Sequence, residues 1–126
     1  MPKVLVSDQL APEGLEILER ARGIEVIYEP DLDPASLLEV IRDVEGLLVR
    51  SGTQVTAEVL EAAEKLKVIG RAGVGVDNVD VGVASKKGVV VVNAPGGNTI
   101  TTAEHAIALL VALARHVPQA LSLIHI

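Results

Sequence analysis

The 126-residue sequence contains no cysteine, tryptophan or phenylalanine, and its only tyrosine is Tyr28. Without cysteine there is no disulfide, no thiolate metal site and no cysteine nucleophile. With a single aromatic ring there is almost no platform on which nucleic-acid bases could stack. Because 49% of the residues are nevertheless hydrophobic, we expect a core built from valine, leucine, isoleucine and alanine.

Positive charge is also scarce, since 11 lysines and arginines stand against 17 acidic residues, for a net charge of −6. This balance repels a phosphate backbone, so we expect no nucleic-acid partner. The longest purely apolar run, AIALLVALA at 106–114, is far shorter than the ~20 residues that cross a bilayer. The start, MPKVLVSDQ, is unlike a signal peptide. These features predict a cytoplasmic protein with no membrane partner.

Short β-branched segments alternate with segments of helical periodicity, a pattern typical of βαβ units and a parallel sheet. Strands are predicted at 3–7, 24–28, 46–50, 67–70 and 89–93, and helices at about 12–21, 34–41, 56–66 and 80–86. The predicted fold class is therefore α/β, a flavodoxin-like doubly wound parallel sheet. The apolar runs LLV, KVI and VVVV predict strands buried on both faces, and Glu61 is expected to pair with Lys65.

The segment VIGRAGVGVDNVD, at 68–80, poses the question of a dinucleotide-binding loop. That fingerprint, G-x-G-x-x-G, requires a third glycine where this chain has Asn78. It also requires an acidic residue at the end of the next strand, about 20 positions on, and that strand ends in Asn93. The pattern alone therefore disfavours a dinucleotide site.

The same segment follows a central strand, at the sheet edge where ligands of open α/β sheets bind. Two interpretations are open. In one, the amides of residues 73–75 and the guanidinium of Arg50 converge on a carboxylate or phosphate. In the other, the segment is a tight turn beside a solvated arginine.

Two motifs, RAGVGVDNVD at 71–80 and NAPGGNTITTAEHA at 93–106, resemble the D-isomer-specific 2-hydroxyacid dehydrogenases, and the resemblance covers residues 1–120. It is closest to the members that oxidise 3-phospho-D-glycerate to 3-phosphooxypyruvate with NAD, at the start of serine biosynthesis. It implies a substrate-binding domain at 1–97 and an interdomain helix at 98–120 that opens a Rossmann NAD-binding domain. It also implies a parent enzyme that is a homodimer or homotetramer.

The resemblance implies a substrate site formed by five residues. The backbone amides of Val74 and Gly75 would hold the substrate carboxylate. Arg50 and Ser51 would lie on its phosphate side. Asn98 would lie beside the reacting carbon while capping the helix that follows.

The resemblance also implies that Thr102 approaches the nicotinamide and that Val74 lies near the cofactor. Arg71 either binds substrate or braces the loop. The family's catalytic arginine, and its histidine backed by a carboxylate, would lie beyond residue 126. We therefore assign no catalytic residue and no metal site to this chain, and expect the 126 residues alone to be inactive and not to bind NAD.

The three histidines, His105, His116 and His125, are interpreted as packing or capping residues. His105 forms no acid–base pair with Glu104, because adjacent residues do not face each other on a helix. The helix predicted from about 101 to 117 is apolar all round its middle, so it requires burial on several sides.

The last six residues, LSLIHI at 121–126, depart from the family, which continues with a polar segment. They are also the translation of CTG TCT CTT ATA CAC ATC, a transposase adapter end, so we expect a foreign tail. The alternative function is a free-standing flavodoxin-like module that binds or senses a small anion. A receiver-like module ranks third, because Asp8 follows the first strand but the third strand ends in Arg50.

Overall fold

The computed structural model describes residues 1–124, and its chain divides into two units, Met1–Ala94 and a second that begins at Pro95. The first unit contains a five-stranded, all-parallel sheet in the order β2-β1-β3-β4-β5. Its strands are β1 Lys3–Val6, β2 Glu25–Tyr28, β3 Gly46–Val49, β4 Val68–Arg71 and β5 Val90–Val92. This is the strand order of a flavodoxin-like sheet, so the predicted fold class is confirmed.

Four α-helices connect these strands. They are α1 Pro12–Arg20, α2 Pro34–Val40, α3 Ala57–Ala62 and α4 Val81–Lys86, and a 3₁₀ turn at Ile41–Asp43 follows α2. Three of the helices begin at a side-chain cap, in which Asp33, Thr56 or Asp80 accepts from a backbone N–H three residues on, at 3.1–3.4 Å. These caps satisfy amides that the helix itself leaves without a partner.

Helix α3 ends at Ala62, whereas the periodicity predicts a helix to Leu66. The chain leaves helical geometry at Ala63, whose ψ is 84°. At this end of the helix Lys87 Nζ donates to the carbonyls of Leu60 and Ala63. A lysine from another part of the chain therefore satisfies the last carbonyls of α3, as a cation at a helix C-terminus can.

The two faces of the sheet are covered unequally. On the front face Leu5, Leu47 and Ile69 lie in register on neighbouring strands and are at most 2% exposed. They belong to the core that the sheet forms with buried side chains such as Leu37 of α2 and Leu60 of α3.

On the back face Val68, Val90 and Val92 are 40%, 58% and 49% exposed. Helix α1 packs mainly against β2, away from β4 and β5 in the strand order. The prediction that KVI and VVVV are buried on both faces is therefore wrong. An apolar run makes a strand compatible with two packed layers, but burial depends on whether a second layer is present.

The second unit contains α5 Thr99–Ala114 and α6 Val117–Ile124, which are bent by 65°. Neither helix buries a residue, and the side chains of Ile107, Leu110 and Leu113 are 62–72% exposed. The two helices by themselves therefore do not supply the burial that the apolar sequence requires. No single described helix is long and apolar enough to cross a membrane, whereas the bent pair passes that test by length and composition.

An ion-pair cluster joins the amino end of β1 to the segment before β4. Asp43 accepts from Lys3 Nζ and Lys65 Nζ, each at 2.8 Å. The predicted pair between Lys65 and Glu61 is thus replaced, because α3 has ended before Lys65. The hydrogen bonds and charges of the two lysines lower the pKa of the Asp43 carboxyl from 3.8 to about 2.

The cluster predicts a pH dependence of stability. Because the pKa of Asp43 is lowered by folding, the cluster stabilises the fold above about pH 4 and loses this effect as the pH falls towards 2. We expect Asp43→Asn to lower the urea midpoint slightly at pH 7, more at low salt, with the difference shrinking between pH 4 and 2. Glu19→Gln, a charge-matched exposed control on α1, should show no such trend. A difference that persists undiminished at pH 2 would contradict the assignment.

Candidate anion-binding site

The carboxyl ends of β1, β3 and β4 are adjacent at one edge of the sheet. We call the loop after β3, residues 50–55, the arginine loop, and the loop after β4, residues 72–78, the glycine loop. Ligands of open α/β sheets bind at this edge, since the loops present their backbone groups and side chains there.

A buried asparagine joins the two loops. Asn78 is 6% exposed, and its Nδ2 donates to the carbonyls of Arg50 at 2.6 Å and Thr53 at 2.7 Å. The connection continues in the backbone, where Val55 N donates to Asn78 O at 2.8 Å and Asp80 N donates to Val55 O at 2.9 Å. The residue at the third position of the glycine pattern therefore bridges the two loops through its side chain, and a glycine could not form these side-chain hydrogen bonds.

A second polar group holds the arginine loop from the end of β1. The Asp8 carboxylate accepts from Arg50 N at 2.7 Å, Thr53 N at 3.0 Å and Thr53 Oγ1 at 2.8 Å. Gly52 lies so close that a Cβ there would be 2.8 Å from Asp8 Oδ1. From the sequence, Asp8 is interpreted only as a receiver-like acid, and this role is not predicted. An aspartate directly after a strand was the available signal.

The arginine loop presents Arg50 and Ser51 at the surface, and both residues are exposed. Arg50 Nη1 donates to the Gln9 carbonyl at 3.3 Å. The structure thus brings the two predicted loops together through Asn78, while the Arg50 guanidinium hydrogen-bonds to the segment after β1. An exposed guanidinium at this edge is available for a carboxylate or a phosphate.

Arg71 lies beneath the glycine loop. Its side chain is 11% exposed, and Nη2 is 3.8 Å from Asp77 Oδ1. Its Nη1 lies 2.7 Å from where a Cβ on Gly73 would be and 3.6 Å from the same position on Gly75. Of the two interpretations of Arg71, the bracing contact is present in the structure. The guanidinium also places a positive charge under the loop amides.

The backbone of the glycine loop is tied to the end of β5. Asn93 Nδ2 donates to the Val74 carbonyl at 2.6 Å, and Ala94 N donates to the Gly73 carbonyl at 2.8 Å. Within residues 1–124 the N–H groups of Val74 and Gly75 have no hydrogen-bond acceptor. Free amides beside a largely buried arginine favour an anion.

The remaining predicted site residues, Asn98 and Thr102, belong to the second unit. Asn98 occupies the N-cap position of α5, as expected, but its side chain makes no capping hydrogen bond. Its φ of −133° and ψ of 12° differ from the extended geometry of a side-chain cap. Thr102 N donates to Asn98 O at 2.9 Å, as in any first helical turn.

The histidines take no part in the described site. His105 and His116 are exposed, so the packing interpretation is wrong for both. The capping alternative holds for His116, whose φ is 52° and whose backbone N–H donates to the Leu113 carbonyl at the end of α5, at 3.4 Å. The helices α5 and α6, in and between which these two histidines lie, bury none of their residues. The prediction for His125, like that for the end of the tail at residue 126, lies outside the described residues.

The glycine loop does not fit a dinucleotide. A pyrophosphate cradle needs a third glycine, at which a helix begins and packs closely against the strand. Here that position holds the buried Asn78, whose amide occupies the space between the two loops, and α4 begins only at Val81. The first unit therefore offers no cradle for the pyrophosphate of NAD.

The family model of the D-isomer specific 2-hydroxyacid dehydrogenase catalytic domain matches residues 4–123. The D-3-phosphoglycerate dehydrogenase of Archaeoglobus fulgidus is 52% identical over 94% of this chain, and that of Rattus norvegicus is 49% identical over 94%. The chain covers 22% of each, so it spans about a fifth of the length of these curated relatives.

Solved structures agree with this similarity. A Thermus thermophilus protein is 38% identical with a TM-score of 0.83, over 95% of this chain and 39% of its own. The NAD⁺-bound 3-phosphoglycerate dehydrogenase of Entamoeba histolytica is 34% identical with a TM-score of 0.76, over 88% and 38%. The NADPH-dependent glyoxylate/hydroxypyruvate reductase of Sinorhizobium meliloti, in complex with citrate, is 33% identical with a TM-score of 0.80, over 94% and 37%.

The bridging role of Asn78 can be tested by completing the dinucleotide pattern. We expect Asn78→Gly to destabilise the fold by about 1–3 kcal/mol, because the part-buried carbonyls of Arg50 and Thr53 both lose their donor. We expect no gain in NAD binding. Urea unfolding and calorimetry measure the two effects, with Gln54→Gly as an exposed control in the arginine loop. Tighter NAD binding by Asn78→Gly would mean that the loop is a dinucleotide site.

Proposed function

The chain belongs to the D-isomer specific 2-hydroxyacid dehydrogenase family, and we propose that it forms the substrate-binding part of an NAD-dependent enzyme that oxidises 3-phospho-D-glycerate to 3-phosphooxypyruvate. The observation that carries the proposal is the bridged pair of loops, with free amides on one and an exposed arginine on the other. Identities of 47–52% to phosphoglycerate dehydrogenases support this choice of substrate.

The proposed substrate has two anionic ends, and the two loops offer a different partner to each. The free N–H groups of Val74 and Gly75 suit a planar carboxylate, and Arg71 beneath them adds positive charge. Arg50 and Ser51 suit a phosphate, because a guanidinium makes charge-assisted hydrogen bonds to its oxygens. In a chain with a net charge of −6, such local donors are what attract a doubly anionic ligand.

The proposal assigns a role to each segment of the chain. Residues 1–97 form the substrate domain, and 98–120 form the interdomain helix that opens the NAD-binding domain. Under this proposal Asn98 lies beside the reacting carbon. Thr102 of the helix and Val74 of the glycine loop lie near the nicotinamide. NAD, when bound, accepts the hydride. The residues of this chain bind and orient the substrate.

The proposal predicts what the chain does alone. We expect the 126-residue chain to show no dehydrogenase turnover and no saturable NAD binding, because no described loop of the first unit cradles a pyrophosphate. Absorbance at the NADH band and calorimetry with NAD measure these properties. Saturable NAD binding would overturn the assignment of residues 1–97 to the substrate domain alone.

The phosphate side of the site has its own test. We expect Arg50→Ala to weaken 3-phospho-D-glycerate binding by the chain about tenfold or more, since hydrogen bonds to charged groups contribute about 1.5–3 kcal/mol. Arg42→Ala removes the same charge from an exposed residue of the 3₁₀ turn, and should leave binding unchanged. Shift titration of the ¹⁵N-labelled chain measures both. An unchanged Kd in Arg50→Ala would exclude this residue from the phosphate site.

A further inference from the structure

We propose that Asn93 is a positioning residue of this site, which sets the direction of the peptide between Val74 and Gly75. Its side-chain amide holds the Val74 carbonyl and thereby aims the Gly75 N–H at the substrate carboxylate. This inference rests on the proposed function, since it assumes that the glycine-loop amides bind that carboxylate.

Two successive carbonyls of the glycine loop are held from the same place. Asn93 Nδ2 binds the Val74 carbonyl at 2.6 Å, and Ala94 N binds the Gly73 carbonyl at 2.8 Å. Asn93 and Ala94 follow directly after β5. The peptide groups that contain these carbonyls are the ones that carry the N–H groups of Val74 and Gly75.

Peptide planarity converts those contacts into an orientation. The chain has no cis peptide bond, and in a trans peptide the C=O and N–H point in opposite directions. With both carbonyls drawn towards the end of β5, both N–H groups point away from it. Residues 72–74 form a bend outside any strand, so no sheet ladder fixes these two peptides and their shared direction depends on an external hold. Asn93 and Ala94 supply that hold.

The residue type at position 93 fits this role. Asn93 is exposed and follows directly after the edge strand β5, so core packing does not require an amide there. Dinucleotide-binding sheets carry an acid at the corresponding strand end. A carboxylate would have no hydrogen to donate to the Val74 carbonyl and would repel it. Asn93, which does not fit a dinucleotide-binding loop, is therefore the hydrogen-bond donor that a carboxylate-binding loop needs.

The test uses the complete ¹⁵N-labelled chain and two probes, 3-phospho-D-glycerate and glycerol 3-phosphate, which lacks the carboxylate. We expect Asn93→Ala to raise the Kd for 3-phospho-D-glycerate about tenfold and to abolish the downfield shift of the Gly75 amide proton. The Kd for glycerol 3-phosphate should stay within about twofold, because the phosphate binds the arginine loop. Asn93→Gln, which keeps the donor, should recover part of the lost affinity.

The matched control is Val90→Ala, because the Val90 side chain lies on β5, just before Asn93, and is 58% exposed. This variant should bind both probes as the wild type does. Equal weakening of both probes in Asn93→Ala would show a general structural role and overturn the proposal, as would unchanged binding of 3-phospho-D-glycerate. If the wild-type chain binds neither probe, the proposed function itself fails, and this inference fails with it.

Discussion

The candidate site depends on the buried amide of Asn78, which joins the arginine loop to the glycine loop. Its two hydrogen bonds satisfy the part-buried carbonyls of Arg50 and Thr53, and removing their donor destabilises the loop. Asp8 holds the arginine loop from the other side through three further hydrogen bonds. Both loops are therefore ordered before a ligand arrives, which lowers the entropy lost on binding.

The same glycine-rich pattern serves different ligands according to what occupies its third position. With glycine there, a helix packs closely and its first amides bind a pyrophosphate. With Asn78 there, the loop is fastened to its neighbour, and the N–H groups of Val74 and Gly75 are left for a smaller anion. A change of one side chain thus alters which part of the loop backbone is available.

The charges are distributed so that an acidic chain can have a site for anions. Arg50 and Arg71 lie at the carboxyl edge of the sheet, whereas Asp43 lies with Lys3 and Lys65 at the amino edge. The Asp8 carboxylate at the carboxyl edge accepts hydrogen bonds from donors of the arginine loop. Local donor geometry rather than net charge therefore decides what this edge attracts.

The sequence by itself determined the strands, the helix caps and the fold class, because periodicity and capping act between residues only a few positions apart. It also indicated that Arg50 and Gly75 lie at one edge, since parallel strands end together. Only the tertiary structure decided that Asp8 and Asn78 hold the arginine loop, that Lys87 meets the end of α3 and that the back of β5 is exposed. The hydrogen bonds of Asp8, Asn78 and Lys87 join residues 24–45 positions apart, and packing selects such partners without leaving a local pattern in the chain.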